Sequence, residues 1–354
     1  MKKFRYFSFF VFFVLIIFLI FNFVIWKFYV SKVNGNVGDL ARMSYYLELI
    51  LPRNKNVDLE KKHISFTQYK NEKIDILVIG DSFSNGGGSG KNNYYQDYIA
   101  TLNNKKVLNI LQVQNTNNYI ESIALLLNSG YLEEIGVKEV LIESVQRESL
   151  ERFATKIDFN INNNKDMYSL ITSTNDLYNV NDEDIEEISI VNNLNFNAAK
   201  FNMLFKVKGY GKFKKYYIEK LDRELFTSQV KDEIIFFKDD IAKLNNENKK
   251  NIITMNNNFN ILALKLKQKG IKLSVMLCVD KYNLYSDYIV SNKYKKSMLF
   301  ETLDSLEKDY RFINTKKLLQ VELKNGLKDI YYPDDTHWSY KASESIFKRI
   351  NFDK

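Results

Sequence analysis

The chain has 354 residues, of which 45% are hydrophobic and 27% charged, ordinary values for a folded domain with a sizeable core. More than half of its formal charge of +8 flanks the first apolar run, so the rest lacks the clustered basic stripes that nucleic-acid binding needs. One cysteine, Cys278, and two histidines exclude a disulfide framework and a cysteine-rich metal site. We therefore predict no nucleic-acid partner, no metal and no cofactor.

An apolar run from Phe7 to Trp26 lies near the start of the chain, and Ser8 and Asn22 are its only polar members. Its length suits a helix that crosses about 30 Å of hydrocarbon. A cleaved signal peptide would have a shorter apolar region ending in small residues, whereas this run ends in tryptophan followed by lysine. We predict that residues 1–32 form a cytoplasmic tip and an uncleaved transmembrane anchor.

Three basic residues precede this run and two follow it before the first acidic residue. The positive-inside rule then places the N-terminus in the cytoplasm and the remaining chain outside. The prediction is a single-pass protein of the cell membrane with an extracytoplasmic domain.

Residues 33–70 are predicted to form a juxtamembrane stem. A helix is expected near Asp39–Leu51, and Pro52 stands where it would end that helix, because proline lacks a backbone N–H. His63 falls in this segment and is predicted to be a surface residue of the stem. The folded domain is predicted to start at residue 71.

The next part of the chain alternates between apolar runs and helical patterns. The predicted strands are Ile74–Gly80, Lys106–Leu111 and Glu139–Val145, with helices near Tyr94–Leu102 and Tyr119–Leu127 between them. Short, continuous apolar runs are typical of strands buried on both faces of a parallel sheet. Strands that alternate with helices also predict parallel pairing.

Residues 151–250 interrupt this alternation with polar sequence rich in asparagine and lysine, which predicts a mainly helical insertion. The alternation then resumes. The later elements are predicted as helices near Ile252–Gly270, Lys293–Lys308 and Ser339–Ile350 and strands at Lys272–Val279 and Arg311–Asn314. Residues 71–354 are therefore predicted to form one α/β sandwich around a parallel sheet, with the insertion attached.

The sequence Gly80-Asp81-Ser82 directly follows the first predicted strand. The carboxyl edge of a parallel sheet is where open α/β folds assemble their sites. A serine at that edge gains from free backbone N–H groups, beginning with its own, that can stabilise an oxyanion. The alternative is a helix cap, since serine and aspartate are common capping residues. The motif alone therefore does not distinguish a catalytic Ser82 from a capping residue, and a catalytic role needs a second residue that acts as its base.

A candidate partner lies in the sequence YPDDTHWS at 332–339, where His337 follows two adjacent aspartates. A catalytic serine needs a base to take its proton, and that base needs a carboxylate to hold its tautomer. Ser82, His337 and either Asp334 or Asp335 are the predicted catalytic residues. The alternative is a structural His337, with Asp335 or Ser339 as the cap of the last helix.

These residues resemble the SGNH/GDSL hydrolase superfamily, in which a Gly-Asp-Ser block comes first and an Asp-x-x-His block last. The Asp-Thr-His-Trp sequence at 335–338 is similar to the alginate O-acetyltransferase branch, whose triad aspartate stands two residues before the histidine. That spacing implies Asp335, whereas the general superfamily spacing implies Asp334. The resemblance covers about residues 74–347 without the insertion and implies an SGNH-type three-layer sandwich. The alginate enzymes order their motifs differently, so the branch implies chemistry and not topology.

Two further stretches are similar to that branch. LIESVQRESL at 141–150 resembles its strand end with Glu and Arg, and CVDKYNLYSDY at 278–288 resembles its Pro-x-Lys-x-x-x-Tyr segment, with Val279 replacing proline. Together with the two motifs, they imply a substrate pocket that includes Asp81, Glu143, Arg147, Lys281, Tyr285 and Trp338. The alternatives are a structural ion pair for Glu143 and Arg147 and a solvated loop for Lys281 and Tyr285.

The second donor of the oxyanion hole has no clear candidate. The superfamily's usual Gly-x-Asn block is replaced here by the sequence from Glu143 to Arg147. Either Asn109 or Gln112, which both come after the second strand, is expected to assist the Ser82 amide.

The predicted reaction is attack of Ser82 on an acyl donor to form an acyl-serine intermediate. With a sugar hydroxyl as acceptor, the protein would be an O-acetyltransferase of a cell-surface or exported polysaccharide, which is the first expectation. With water as acceptor, it would be an SGNH esterase or deacetylase of glycan or lipid esters. The third alternative is a catalytically inactive surface-assembly module. Because acetyl-CoA is cytoplasmic, transfer outside implies a membrane-embedded partner that delivers the acyl group.

Overall fold

The computed structural model describes residues 2–31, 37–51, 53, 58–163, 166–175 and 189–352. Strands and helices are numbered in chain order. The strands are β1 (Ile64–Ser65), β2 (Ile76–Ile79), β3 (Val107–Ile110), β4 (Glu139–Val145), β5 (Tyr216–Lys220), β6 (Glu233–Phe237), β7 (Lys272–Cys278) and β8 (Arg311–Asn314). The helices are α1 (Lys2–Ile25), α2 (Asp39–Ser44), α3 (Tyr95–Asn103), α4 (Tyr119–Asn128), α5 (Tyr131–Glu134), α6 (Gln146–Phe153), α7 (Met167–Asn175), α8 (Asn193–Lys208), α9 (Asp239–Ala242), α10 (Lys249–Lys267), α11 (Lys281–Tyr285), α12 (Leu299–Asp304), α13 (Thr315–Lys324) and α14 (Tyr340–Phe347).

Six strands form one sheet in the order β1-β3-β2-β4-β7-β8, and every neighbouring pair is parallel. β4 is an interior strand and is buried along its whole length. Ile79 pairs with Ile142 and Val145 with Cys278, so the carboxyl ends of β2, β4 and β7 meet at one edge. The predicted α/β fold with a central parallel sheet is confirmed.

Helices cover both faces of this sheet. The crossover from β2 through α3 to β3 runs in one direction, whereas those through α4, α10 and α12 run in the other. Because such crossovers are right-handed, the reversal places α3 on the opposite face from the other three. α3 packs on α14, and α14 on α13, while α10 packs on α4, α6 and α12. The result is a sandwich of three layers, with the sheet between two layers of helices. The carboxyl edge of the sheet therefore lies between the helix layers.

The predicted strands of the sheet are all present and differ from the observed bounds by at most two residues at an end. The predicted helix near Lys293–Lys308 is wrong in length, since α12 covers only Leu299–Asp304. The Tyr282 hydroxyl donates to the carbonyls of Tyr294 and Lys295 at 3.3 and 3.1 Å. Those carbonyls therefore serve a tertiary contact and not a helix.

Three described α-helices, α7, α8 and α9, lie wholly within the insertion, together with a hairpin that its polar composition did not predict. β5 and β6 pair antiparallel, with Tyr216 opposite Phe237. Ile234 and Phe236 of β6 are fully buried, and Phe236 packs on the Tyr282 ring at 5.1 Å. A strand of five residues is too short for its alternation to stand out from the surrounding sequence. Residues 176–188 of the insertion lie outside the described residues.

The stem is part of the folded domain. β1 lies inside the predicted stem and pairs with β3, so the sheet starts before residue 71. α2 ends at Ser44, because Tyr45 has a left-handed conformation with φ 56°, and the helix is shorter than predicted. Pro52 lies outside the described residues.

His63 also departs from its prediction as a surface residue of the stem. Its Nδ1 is 2.7 Å from Asp97 Oδ1, and its backbone N–H donates to the same oxygen at 2.8 Å. The ring lies 4.6 Å from that of Tyr94, and the side chain is only 12% exposed. His63 therefore ties the stem to α3, which bears Asp97.

α1 continues into a π-helical turn at Trp26–Val30. The stretch Phe4–Val30 is long and apolar enough to cross a membrane, and almost none of it is buried against the rest of the protein. Such a helix is compatible with a membrane anchor or a signal sequence.

Candidate active site

Ser82 lies at the carboxyl edge of the sheet, in the turn that follows β2. The Gly87 N–H donates to the Ser82 carbonyl at 2.7 Å, which closes the turn. Gly80 is required at its start, because a Cβ there would overlap Ser84 Oγ and Glu143 Oε2. The turn leaves the Ser82 side chain exposed at the sheet edge.

Three of the predicted catalytic side chains form a hydrogen-bonded line. Ser82 Oγ is 2.7 Å from His337 Nε2, and His337 Nδ1 is 2.7 Å from Asp335 Oδ1. The His337 backbone N–H also donates to Asp335 Oδ1 at 2.9 Å. With the Nδ1 proton directed at the carboxylate, Nε2 is left to accept the Ser82 proton. This is the geometry in which a histidine can act as base for a serine nucleophile.

Asp334, the other aspartate that the sequence left open, binds Arg53 and not His337. The two guanidinium nitrogens donate to its two oxygens at 3.0 and 2.9 Å, and both side chains are fully buried. The Gly38 N–H also donates to Asp334 Oδ2 at 2.9 Å. Of the two alternatives, Asp335 has the triad geometry and Asp334 binds the stem.

His337 and Asp335 each stabilise the charged form of the other. Burial acts to lower the pKa of His337, but the Asp335 carboxylate and its hydrogen bond outweigh burial, and that pKa is raised. Burial acts to raise the pKa of Asp335, but His337, with help from Arg53, outweighs it and lowers that pKa. The pair therefore favours carboxylate with imidazolium, the charge state formed once His337 has taken the Ser82 proton.

Gly87 lies directly against the His337 ring. A Cβ at this position would overlap His337 Cδ2 and Nε2 and would lie 2.6 Å from the Ser82 carbonyl oxygen. The serine turn and the histidine loop (332–337) thus approach each other at a residue without a side chain.

Lys281 holds the histidine loop and does not line a substrate pocket. Its ammonium donates to the carbonyls of Tyr332, Pro333 and Asp335 at 2.8, 2.9 and 3.0 Å, and the residue is 1% exposed. Burial lowers the pKa of Lys281 to about 8, although nearby carboxylates, Asp334 first, act to raise it. The structure corrects both the substrate-binding prediction and the solvated-loop alternative.

Tyr285 and Trp338, also predicted to bind substrate, pack into the core. Tyr285 is fully buried, and its hydroxyl accepts from the Tyr331 N–H at 3.2 Å. Trp338 is 4% exposed and packs edge-on against Phe83 at 4.9 Å. Neither residue lines the cleft beside Ser82, so these two predictions are wrong.

Asp81 and Glu143 brace the serine turn from inside. Asp81 Oδ2 accepts from the Val145 N–H at 2.8 Å and from Arg152 at 2.5 Å. Glu143 Oε2 accepts from the Asp81 N–H at 3.0 Å and from the Ser84 hydroxyl at 2.7 Å. Both carboxyl groups are therefore engaged within the protein. This corrects the prediction of Glu143 as a substrate contact, since Glu143 is fully buried. Asp81 also lines the cleft beside Ser82, and its contact with substrate stays a prediction.

The two carboxyl groups have opposite pKa shifts. Burial acts to raise the pKa of Asp81, but the charge of Arg152 and several hydrogen bonds lower it overall. Burial, followed by the charge of Asp81, raises the pKa of Glu143 well above its usual range. Asp81 therefore favours the carboxylate and Glu143 the neutral acid.

Arg147 forms a buried ion pair, as one of the sequence alternatives proposed, but with other partners than Glu143. Its guanidinium is 2.8 Å from Asp280 and 3.4 Å from Asp240. Burial acts to lower the pKa of Arg147, but these two carboxylates raise it overall. Arg147 thus links α6 to α9 and to the segment after β7, and its predicted contact with substrate is wrong.

A cleft of about 480 Å³ opens beside Ser82. It is lined by Gly80, Asp81, Ser82, Asn85, Gly86, Gly87, Leu111, Gln112, Tyr119 and Thr174. Within the part of the chain that the structure describes, no hydrogen bond uses the Ser82 N–H, which leaves it for an oxyanion. Asn85 at the cleft wall is a residue that no sequence pattern had marked.

Asn109 does not line this cleft. Its side-chain amide donates to the Ser84 carbonyl at 3.2 Å and to Asn85 Oδ1 at 3.1 Å. The prediction of Asn109 as an oxyanion donor is therefore corrected, and Gln112 is the alternative that lies at the cleft.

Two stem residues that no local pattern marks also hold the histidine loop. Asp39 accepts from the Thr336 N–H at 2.8 Å and from its hydroxyl at 2.5 Å. Arg53 reaches Asp335 Oδ2 at 3.3 Å in addition to its pair with Asp334. These contacts span 297 and 282 residues of sequence, so only the folded chain reveals them.

The atoms of Asp39, Asp335 and His337 that could bind a metal ion lie within 4.8 Å of one another. Each is already engaged, however: Asp39 by Thr336, and His337 Nδ1 by Asp335. The arrangement suits proton transfer at His337 Nε2 and does not require a metal.

Residues 229–350 match the family model for the SGNH hydrolase-like domain of the acetyltransferase AlgX. Residues 229–350 are thus similar to an SGNH hydrolase-like domain. The matched part of this domain includes β7, β8 and the histidine loop, whereas Ser82 precedes it. The resemblance to the alginate O-acetyltransferase branch that the motifs predicted is confirmed over these residues. No curated protein matches the chain.

Proposed function

We propose that the SGNH hydrolase-like domain is an O-acetyltransferase that acts outside the cytoplasm on a cell-surface or exported polysaccharide. The observation that carries the proposal is the hydrogen-bonded line of Ser82, His337 and Asp335 at the mouth of an open cleft. The match to a domain of an acetyltransferase favours transfer to a hydroxyl over hydrolysis.

In the first half of the reaction, Ser82 Oγ attacks the carbonyl carbon of the acyl donor while His337 Nε2 takes its proton. The oxyanion is held by the Ser82 backbone N–H, and Asp335 stabilises the imidazolium. The intermediate then collapses, the donor's leaving group departs with the proton from His337, and an acetyl-serine ester remains.

In the second half, a sugar hydroxyl enters the cleft and gives its proton to His337 as its oxygen attacks the acetyl-serine. Collapse returns the proton to Ser82 Oγ and releases the O-acetyl sugar. The same steps with water release acetate, and the exposure of Ser82 favours this esterase reaction as the second candidate.

The proposed extracytoplasmic location of the domain limits where its acyl group can come from. An extracytoplasmic domain has no direct access to cytoplasmic acetyl-CoA, so the proposal includes a membrane-embedded protein that carries the acetyl group across. The apolar helix Phe4–Val30 would keep the domain beside that partner.

The test uses the full chain in detergent with p-nitrophenyl acetate, with and without an oligosaccharide acceptor, and mass spectrometry of the protein and the sugar. We expect acetyl-Ser82 after acid quenching and acetylated oligosaccharide when the acceptor is present. Both should disappear in Ser82→Ala. Ser129→Ala is the matched control, because Ser129 is exposed and does not line the Ser82 cleft.

Each outcome separates the candidates. Acetate release without sugar acetylation, lost in Ser82→Ala, would replace transfer with ester hydrolysis. No acetyl-Ser82 and no Ser82-dependent product would overturn the catalytic assignment and favour a surface-assembly module.

A further inference from the structure

Asn22 is a polar residue inside the apolar run of α1, and its side chain has a partner in the insertion. Asn195 Nδ2 donates to Asn22 Oδ1 at 2.7 Å. Asn195 is fully buried and Asn22 is 3% exposed. The hydrogen bond fixes the first turn of α8 beside α1 at the level of Asn22.

This level is close to one end of the apolar run. Asn22 precedes Trp26, where the run ends, by four residues, which is roughly 6 Å along a helix. If α1 spans the membrane, as the proposed function requires, the first turn of α8 reaches the outer boundary of the hydrocarbon. The inference rests on that anchorage.

Several large apolar side chains are exposed around Asn195. Ile190, Val191, Leu194 and Phe196 are exposed by 44%, 46%, 46% and 65%. Phe213, exposed by 42%, shares a cavity of about 430 Å³ with Leu194. Large apolar side chains exposed near one another on a folded domain mark an interaction site, since their contact with water is unfavourable.

The same part of the chain is basic. Residues 193–217 contain six lysines and no acidic residue, in a chain with 43 acidic residues in total. All six are exposed: Lys200, Lys206, Lys208, Lys212, Lys214 and Lys215. Exposed lysines beside a membrane helix complement anionic lipid headgroups. Apolar side chains next to lysines, at the level where α1 leaves the hydrocarbon, point to one occupant, the membrane surface itself.

We propose that the apolar residues 190, 191, 194, 196 and 213, called the membrane-facing patch, rest on the outer leaflet of an anionic bilayer as a second contact beside α1. The cavity between Leu194 and Phe213 is also lined by Asp39. Asp39 binds Thr336 of the histidine loop. The patch therefore keeps the catalytic loop near the membrane, where an embedded donor presents its acyl group.

The test places a fluorescent probe on the full chain in vesicles of equal parts phosphatidylcholine and phosphatidylglycerol. Phe196→Cys is labelled with a polarity-sensitive dye, and native Cys278 is fully buried, which keeps background labelling low. Leu264→Cys is the matched control, because Leu264 is 47% exposed on α10 near the amino edge of the sheet, away from the histidine loop. We expect blue-shifted emission and quenching by nitroxide-labelled lipids at position 196 and neither at 264.

Equal, water-like emission at both positions would overturn the proposal. Asn195→Ala carrying the probe at position 196 should show less quenching, because the hydrogen bond that sets the depth is lost. The intact mass of the protein tests separately whether α1 is retained. A protein that has lost α1 would remove the basis of the proposed membrane contact, whereas acetyl-Ser82 formation would still support the proposed function.

Discussion

Arg53 and Asp334 form a two-point ion pair that is fully buried behind the histidine loop. Arg53 belongs to the stem that follows the apolar helix, and Asp334 directly precedes the triad carboxylate Asp335. The stem is therefore part of the catalytic framework. A domain cut at residue 71 would lose Arg53, Asp39 and the contacts that they make with the loop.

Replacement of Arg53 should lower the free energy of unfolding of the protein. Arg53→Met leaves the Asp334 carboxylate buried without its partner, a change that costs about 3–5 kcal/mol in comparable buried pairs. Urea unfolding of the full chain in detergent measures it. Arg53→Met with Asp334→Leu removes both charges and should recover much of the loss. A single variant as stable as the wild type would contradict the structural role of the pair.

Replacement of each of the two adjacent aspartates should have a different effect on kcat. Asp335→Asn removes the carboxylate that holds the His337 tautomer, and we expect kcat to fall about 10⁴-fold. Asp334→Asn should change kcat far less and mainly lower stability, because Asp334 contacts Arg53 and Gly38. The rate of Ser82-dependent ester cleavage measures both. Equal, mild losses of kcat in the two variants would remove Asp335 from the triad.

Activity should fall on the acid side of neutrality. His337 acts as base only when neutral, and its pKa is raised, because Asp335 outweighs the opposing effect of burial and Asp39 adds to it. The acid limb of kcat/KM should therefore lie above the ~6.5 of a free histidine. Asp39→Asn removes one negative charge and should move this limb to lower pH. An unmoved limb would show that Asp39 acts on the loop without electrostatic coupling to His337.

Glu143 should tolerate glutamine but not alanine. Its pKa is raised by burial and then by the charge of Asp81, so the folded protein binds a proton that the unfolded chain releases above ~4.3. This lowers stability progressively as pH rises from there towards the raised pKa. Glu143→Gln cannot lose that proton, so its stability relative to the wild type should increase with pH.

Glu143→Ala leaves the Asp81 N–H and the Ser84 hydroxyl without their acceptor, and we expect a loss of about 1–3 kcal/mol per buried group. Thermal unfolding between mildly acidic and alkaline pH measures both variants. A constant difference between Glu143→Gln and the wild type across this range would show that Glu143 is ionised in the folded protein.

Gly87→Ala should impair catalysis and also strain the serine turn, because the added Cβ would lie 2.6 Å from the Ser82 carbonyl oxygen. The added methyl group would overlap the His337 ring, so the ring must move from Ser82 Oγ. We expect kcat to fall by a factor of about 10²–10³, as small displacements of catalytic groups do. Ser129→Ala serves again as the control, because Ser129 is exposed and does not line the Ser82 cleft. Unchanged kcat in Gly87→Ala would mean that the histidine loop can retreat without loss of geometry.

Much of the fold could be predicted from local sequence. Buried strands such as Glu139–Val145 appear as continuous apolar runs, because both faces of a parallel sheet are covered. The motifs around Ser82 and His337 could be recognised because nucleophile, base and carboxylate are each of a distinctive residue type. The hairpin of β5 and β6 was missed, since two short strands in polar sequence leave only a weak local pattern.

The sequence by itself determined the apolar helix, the order of strands and helices, and the residue types of the catalytic line. Only the tertiary structure decided between Asp334 and Asp335, and it moved Lys281, Arg147 and Glu143 from the substrate pocket into the framework. The physical reason is that periodicity reflects which face of an element is buried, a local property. The partner of a buried charge depends instead on which distant segment lies beside it, and the contact between Arg53 and Asp334 spans 281 residues.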